Sequence, residues 1–560
     1  MRIRRPPAIV LLALLVSLGA AACTSASSQT GAPTTRGATT AVTVETTNGA
    51  LTTTSNANVT TSVVATTSAA TTATSTTVAE RPVRAGAQRM HFEVGPIEIM
   101  PGQNNIAFKA GIPKPTVDGF ATRIAPDLRL DDGTVPAVDD IHLHHGVWLN
   151  RDAIDLTRPG LPERLFAAGE EKTVTTLPDG YGYPVKADDH WVLNYMIHNL
   201  WNRTKSVWVT YDIDFIPGTA PQAASIVAAR PVWTDVENGS GYPVFDVHRG
   251  DGAGGTFTFP DDRADAYGGQ PAQNTWTSDR DGVLVDTAGH LHPGGLHTDL
   301  WLQRGGSTAP AGHAKAGAPD TAHLFTSEAH YYEPAGAVSW DVAMTATRSD
   351  WRVAVKAGDT LSTTATYDSA RASWYESMGI MVVWMADHVA PGTAAAIDPF
   401  VAAVDAPGDL THGHLTENDH HGGGPDTKYF DLTTLSAGPA SPTIQIQGFE
   451  YAAGDMQFAK TLPVVAPGQS ITFENLDAPL ANGEWHTITA CKAPCNGETG
   501  IAFPLADGSV EFDSGQLGKA GPPTADRVTW STPTDLTPGT YTYFCRIHPF
   551  MRGGFEVSGG

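Results

Sequence analysis

Near its carboxyl end the chain reads Tyr541-Thr542-Tyr543-Phe544-Cys545-Arg546-Ile547-His548-Pro549-Phe550-Met551-Arg552-Gly553. Thr540 to Phe544 alternates with the period of two that a strand requires, and Cys545 falls where that strand ends. Upstream, Glu484-Trp485-His486-Thr487-Ile488 follows the strand-like run Ser470 to Glu474 and adds a second imidazole. Two strand ends can therefore converge on one ion. A soft thiolate, two imidazoles and a weak thioether are the donors of a trigonal electron-transfer copper site, which makes His486, Cys545, His548 and Met551 the candidate ligands. The stretch predicts a terminal unit built of strands.

Cysteine arithmetic supports the same site. The chain has 4 cysteines: Cys545, Cys491 and Cys495 near His486, and Cys23 at the amino end. Cys491 and Cys495 are either extra metal ligands or a small disulfide, and an oxidising compartment favours the disulfide. That leaves Cys545 without a sulfur partner, as a metal-bound thiolate requires.

Working outward, 560 residues are too many for one core. Hydrophobic residues make up 41% against 17% charged, with 57 Gly and 40 Pro, a balance that fits turn-rich β-structure and predicts an all-β chain. The net charge of −24 repels phosphate backbones, so nucleic acid is not an expected partner. Arg2, Arg4 and Arg5, the apolar run Ala8 to Leu18, and small residues before Cys23 have the order of an export signal. Cys23 after Ala20-Ala21-Ala22 resembles a lipoprotein box, and two outcomes stay open: lipidation of Cys23, or plain cleavage near Ala22. Either predicts an extracytoplasmic protein, at the cell surface if Cys23 carries a lipid anchor, its one expected membrane contact, or secreted if it does not. The Thr/Ser-rich stretch that follows buries too little apolar surface to fold. The expected organisation is an export signal over 1–23, a disordered stalk over 24–82, β-sandwiches over 86–216 and 217–403, a Gly/His-rich linker over 404–440, and a terminal module over 441–560.

The terminal string resembles the copper loop of cupredoxins of the amicyanin and plastocyanin type, over about Thr443 to Val557. The resemblance implies a Greek-key β-sandwich holding one type 1 copper on His486, Cys545, His548 and Met551. Multicopper oxidases flank the cysteine with histidines that lead to a copper cluster, whereas Phe544 and Arg546 flank Cys545 here. Laccase-like and nitrite-reductase chemistry are accordingly not expected.

The preceding body holds a second set of histidines. Ile141-His142-Leu143-His144-His145-Gly146 and Asn194-Tyr195-Met196-Ile197-His198 place imidazoles in apolar strands, where polar rings need partners or a metal. Gly289-His290-Leu291-His292 sets two on one strand face, and Met378 offers a thioether. These strings resemble the copper type II, ascorbate-dependent monooxygenases of the peptidylglycine hydroxylating kind, over about Met90 to Ala403. The resemblance implies two β-sandwiches, with an electron-storing copper on His144, His145 and His198 and an oxygen-activating copper on His290, His292 and Met378, the last three carrying catalysis. Neighbours His144 and His145 point to opposite faces of a regular strand, so one ion on both requires a bulge or a strand end, and His142 with His144 is the simpler same-face pair. Gly379, Ile380, Met381 and Val382 stand where the peptide-amidating members have polar groups, which argues against peptide amidation. His412, His414, His420 and His421 lie among Gly and Asp in the linker and predict a disordered tether without a defined site.

Two functions from different classes fit. One is a copper-dependent oxidoreductase in which the terminal module exchanges electrons with a monooxygenase-like body acting on an unknown small molecule. The other is a non-enzymatic surface electron carrier or copper-holding protein that meets an unknown redox partner.

Overall fold

Alternating β-branched and aromatic residues punctuated by Gly and Pro favour extended backbone over helix. The computed structural model describes residues 82–559 apart from 101–105, 139, 200–203, 237–243, 249, 263–274, 306–319, 333–336, 338–340, 371–373, 415–431, 479–484, 492–511, 520–526, 546–547 and 549–550. Among the described residues there are 31 strands, two short 3-10 turns and no α-helix, so the chain is all-β.

The body opens with two sheets packed face to face. A four-stranded sheet in the order Ala107–Ala110, Trp191–Asn199, Ile141–Ile154, Pro162–Gly169 covers Gln88–Ile99, Lys205–Pro217, Gly119–Leu130 and Tyr181–Val185. Val94, Leu128, Leu143, Trp148, Phe166, Leu193 and Tyr211 fill the space between, with the Trp148 and Tyr211 rings meeting edge-on at 5.4 Å. Burying side chains of this size supplies roughly 1.5–3 kcal/mol each before the entropy of ordering them is subtracted.

Tyr181–Val185 then pairs in parallel with Val227–Asp235, in the register Val227 with Tyr181 and Ala228 with Gly182. Backbone hydrogen bonding thus crosses position 217, and one sheet of 16 strands runs through both parts of the body. Gly282–Leu291 and Gly379–Ala386 lie side by side in its second half, over a core that includes Val232, Leu284, Leu300, Leu324, Phe325 and Met381.

The terminal unit consists of two smaller sheets. One orders Ala437–Ala440, Leu462–Val465, Arg552–Val557, Gly539–Phe544 and Thr489–Cys491; the other orders Glu450–Tyr451, Thr443–Gln447, Thr472–Asn475 and Thr529–Ser531. Ile444, Phe473, Ile488, Tyr543, Phe555 and Leu432 lie in one core cluster with Cys545 and Met551.

Part of the expected linker is ordered. Asp409–Leu410 pairs with Val342–Ala346, His414 forms an ion pair with Asp341 at 2.5 Å, and the His412 ring bonds the Glu171 carbonyl. The disordered tether expected over 404–440 is therefore corrected for 409–414. Its histidines find fixed acceptors on the body, a long-range pairing that local composition does not encode. His420, His421, Cys23 and Cys495 lie outside the described residues, as does the Cys491 side chain, and with them the expected lipidation and disulfide.

Candidate metal centres

Gly539–Phe544 delivers Cys545 to the end of its sheet, where the thiol is fully buried. The segment that follows folds back on itself: the Met551 N–H donates to the His548 carbonyl at 2.8 Å and the Cys545 N–H to the Met551 carbonyl at 3.0 Å. His486 arrives from the other side, its backbone bonded in both directions to Leu517. The sequence therefore brings His486, Cys545 and His548 together as expected, and Met551 lies buried beside them.

Distances decide what this cluster suits. Cys545 Sγ lies 3.9 Å from His486 Nδ1 and 3.7 Å from His548 Nδ1, and the two nitrogens are 3.1 Å apart. Bonds of ~2.3 Å to sulfur and ~2.0 Å to nitrogen at about 120° separate S from N by ~3.7 Å. The two sulfur–nitrogen distances thus suit one shared ion, while the nitrogens stand closer than the ~3.5 Å of an ideal trigonal site. The donor set is soft and fully buried, as type 1 copper prefers. Four further hydrogen bonds surround it. The Thr487 N–H donates to Cys545 Sγ at 3.3 Å; His486 Nε2 donates to Asp477 Oδ2 at 3.0 Å; and Asp477 also accepts the N–H groups of Gly448 and Phe449. Burial alone would raise the Cys545 thiol, but His548 and His486 hold it well below its usual value. Burial would lower His486, yet Asp477 and the thiolate push it up to about 9. A thiolate stabilised this way is the metal-binding form of the side chain.

In the body, His142 and His198 face each other across antiparallel strands Ile141–Ile154 and Trp191–Asn199. His142 Nδ1 donates to the Val138 carbonyl at 2.6 Å, which leaves its Nε2 as the lone-pair nitrogen, 3.0 Å from His198 Nδ1. The register slips between Leu143 and His145, so a bulge sits at His144. The expected irregularity exists, but it groups His142, His144 and His198, whose ligand atoms lie within 4.8 Å of one another. His145 stands outside that trio, with its ring 5.9 Å from that of His144. The same-face pair His142 and His144 is the one the fold uses.

His290 and His292 come from the end of Gly282–Leu291, with ring centres 5.1 Å apart. Met378 is brought to the same end. The register pairs His290 with Ile380 and Leu291 with Gly379, and one hydroxyl, Tyr367 Oη, accepts the N–H groups of both His292 and Met378 while donating to the Met378 carbonyl. The two expected body sites adjoin. The His144 ring lies 4.3 Å from that of His198 and 4.2 Å from that of His292, and His144, Glu170 and His292 form a further group within 4.8 Å.

Glu170 and Glu171 escape sequence reasoning, because Gly169-Glu170-Glu171-Lys172-Thr173 reads as a solvated turn. All four residues from Glu170 to Thr173 are buried. Glu170 Oε1 takes a hydrogen bond from His144 Nδ1 at 2.5 Å, and Glu171 Oε2 pairs with His290 Nδ1 at 2.9 Å. Gly169 is demanded by crowding: a Cβ there would stand 2.5 Å from His290 Cε1 and 2.8 Å from both Glu171 Oε2 and the His144 carbonyl oxygen. Burial pushes His142, His145 and His198 well down and His144 to about 3, so these rings are neutral and able to ligate. His290 runs the other way: burial lowers it, but Glu171 and then Glu170 raise it above its ordinary value. Burial raises the Glu170 carboxyl well above the carboxylate range. His548 is among the groups acting on His198, so the terminal centre and the body trio share a field.

No protein-family model and no curated protein matches the chain. Among solved structures, the Cu(I) form of a methionine-to-alanine mutant of amicyanin matches 24% of this chain and 95% of its own at 21% identity, with a TM-score of 0.14. A second methionine-to-alanine mutant of amicyanin, also with Cu(I), gives 20% identity with the same coverages and TM-score. A copper-containing nitrite reductase from Thermus scotoductus SA-01 matches 50% of this chain and 55% of its own at 14% identity, again with a TM-score of 0.14. Overlaps this slight carry no argument about function, which rests on the centres themselves.

Proposed function

We propose that this chain is an exported copper-binding redox protein that transfers single electrons through a type 1 centre on His486, Cys545, His548 and Met551. The observation that carries the reading is the convergence of Cys545 Sγ with two Nδ1 atoms, fully buried, at separations that suit one ion. Copper bound there would supply one-electron exchange without proton transfer. The chain's own residues exclude water, fix the His486 imidazole through Asp477 and hold the sulfur as thiolate. Arg2, Arg4, Arg5 and the apolar run up to Leu18 support export.

The finer reading gives the body a copper-dependent oxidation of a small molecule, with the terminal centre as its tethered donor. Its support is the gathering of His142, His144, His198, His290 and His292 in one buried region beside Met378, within the field of His548. The test is direct. Copper-loaded protein should show intense absorption near the red end of the visible spectrum that Cys545→Ser abolishes and His144→Ala leaves in place. Absence of that band from wild-type protein would overturn the proposal.

A further inference from the structure

The body residues meet around one carboxylate. His144 Nδ1 is 2.5 Å from Glu170 Oε1, His142 Nε2 is 3.9 Å from the same oxygen, and His198 Nδ1 is 3.0 Å from His142 Nε2. Glu170 and His144, the latter shared with the first group, form a second ligand group with His292, whose ring is 5.1 Å from that of His290. Among the described residues, Glu170 Oε2, His144 Nε2 and His290 Nε2 in this region are buried without a hydrogen-bond partner. Each such atom costs roughly 1–3 kcal/mol when nothing satisfies it.

We propose that Glu170 bridges two divalent first-row transition ions, one on the side of His142 and His198, the other on the side of His292 and His290. The inference rests on the reading that the body binds metal, and it changes that reading from two separate sites to one shared centre. A carboxylate has two oxygens and can serve both ions at once. Oε1 already faces the His142 side, and Oε2 is left for the other. Two dications in a buried region need anionic ligands, and Glu170, once a metal ion has displaced its proton, and Glu171 would supply two. Imidazole with carboxylate suits divalent copper, zinc or iron, whereas the Met378 thioether suits Cu(I). The competing role for Glu170 is to orient His144 by a hydrogen bond without touching metal.

Cu(II) titration of the full exported chain separates these, with the blue centre as internal reference. Copper per chain is counted by mass spectrometry, and the paramagnetic signal is integrated against it. A bridged pair gives three coppers per chain, with a signal that accounts for fewer than three because the bridged spins couple. Glu170→Gln should weaken uptake of both body ions together by at least ten-fold and abolish the coupling, with the blue band unchanged. His290→Ala, by contrast, should weaken one ion and spare the other. The retained blue band shows that a variant has folded; if Glu170→Gln does not fold, the wild-type spin count decides. Body copper that is fully visible and uncoupled, two body ions that persist in Glu170→Gln, or a blue protein whose body takes up none would each overturn the bridge while leaving the terminal centre standing. A wild-type chain without the blue band would instead overturn the reading of the terminal centre.

Discussion

At the scale of single residues, buried charges set the chemistry. Asp477 is 1% exposed and holds His486 Nε2, so it fixes the ring whose other nitrogen faces Cys545. Removing such an outer partner typically costs 10–100-fold in metal affinity. Asp477→Ala should therefore weaken copper binding by at least ten-fold with the blue spectrum retained at saturation, as competition with a chelator would measure. Away from the metal centres, Asp286 is buried against Thr347, whose hydroxyl donates to it at 2.8 Å, and burial pushes its pKa up to about 7 from 3.8. Its folded-state pKa is raised, so the stabilisation it contributes is present below pH ~4 and is lost as pH rises through about 7. The shift corresponds to on the order of 4 kcal/mol. Asp286→Asn should consequently raise the melting temperature at pH 8 by several degrees and have little effect near pH 4. A pH-independent change would contradict this account.

At the scale of elements, a bulge and a missing side chain shape the body centre. The register slips between Leu143 and His145, yet the histidines grouped with His198 are the same-face pair His142 and His144, and neighbouring His145 stands outside them. The imidazole-rich strands and the His-x-His spacing are legible in the sequence because period-two alternation is local. Which of His142 and His145 joins His144 is not, because bulges are set by the partner strand. Glu170 and Glu171 are invisible there for a related reason: a short charged run after an apolar strand is usually solvated, and only long-range partners such as His144, His290 and His412 meet it in the fold. Gly169→Ala should push a methyl group into His290 and the His144 backbone. We expect a loss of about 1–3 kcal/mol in stability and weakened metal uptake by the body, with the blue absorption unaltered. Parallel thermal and metal-binding measurements check both.

At the scale of the whole molecule, residues Thr77–Gly560 fall in one unit, and the ordered stretch over 409–414 fastens the start of the linker to the body. A donor tethered to its acceptor reacts intramolecularly, at an effective concentration set by the linker and not by the solution. After flash reduction, electron transfer from the terminal centre to the body should follow first-order kinetics with a rate independent of protein concentration; a rate proportional to concentration would favour a diffusing carrier. Leu432 is fully buried against Gly554, so Leu432→Ala should destabilise the terminal unit by about 2–5 kcal/mol in denaturant titration. The sequence by itself determined the all-β class and the candidate cluster of His486, Cys545 and His548, because strand period and ligand chemistry are written in neighbouring residues. The tertiary structure alone decided that strands hydrogen-bond across position 217, that His142 and His144 group with His198 while His145 stands outside, and that two glutamates stand among the histidines. Those facts depend on register and burial between segments far apart in the chain, as in the His290 and Glu171 pair at a separation of 119, and no local pattern encodes them.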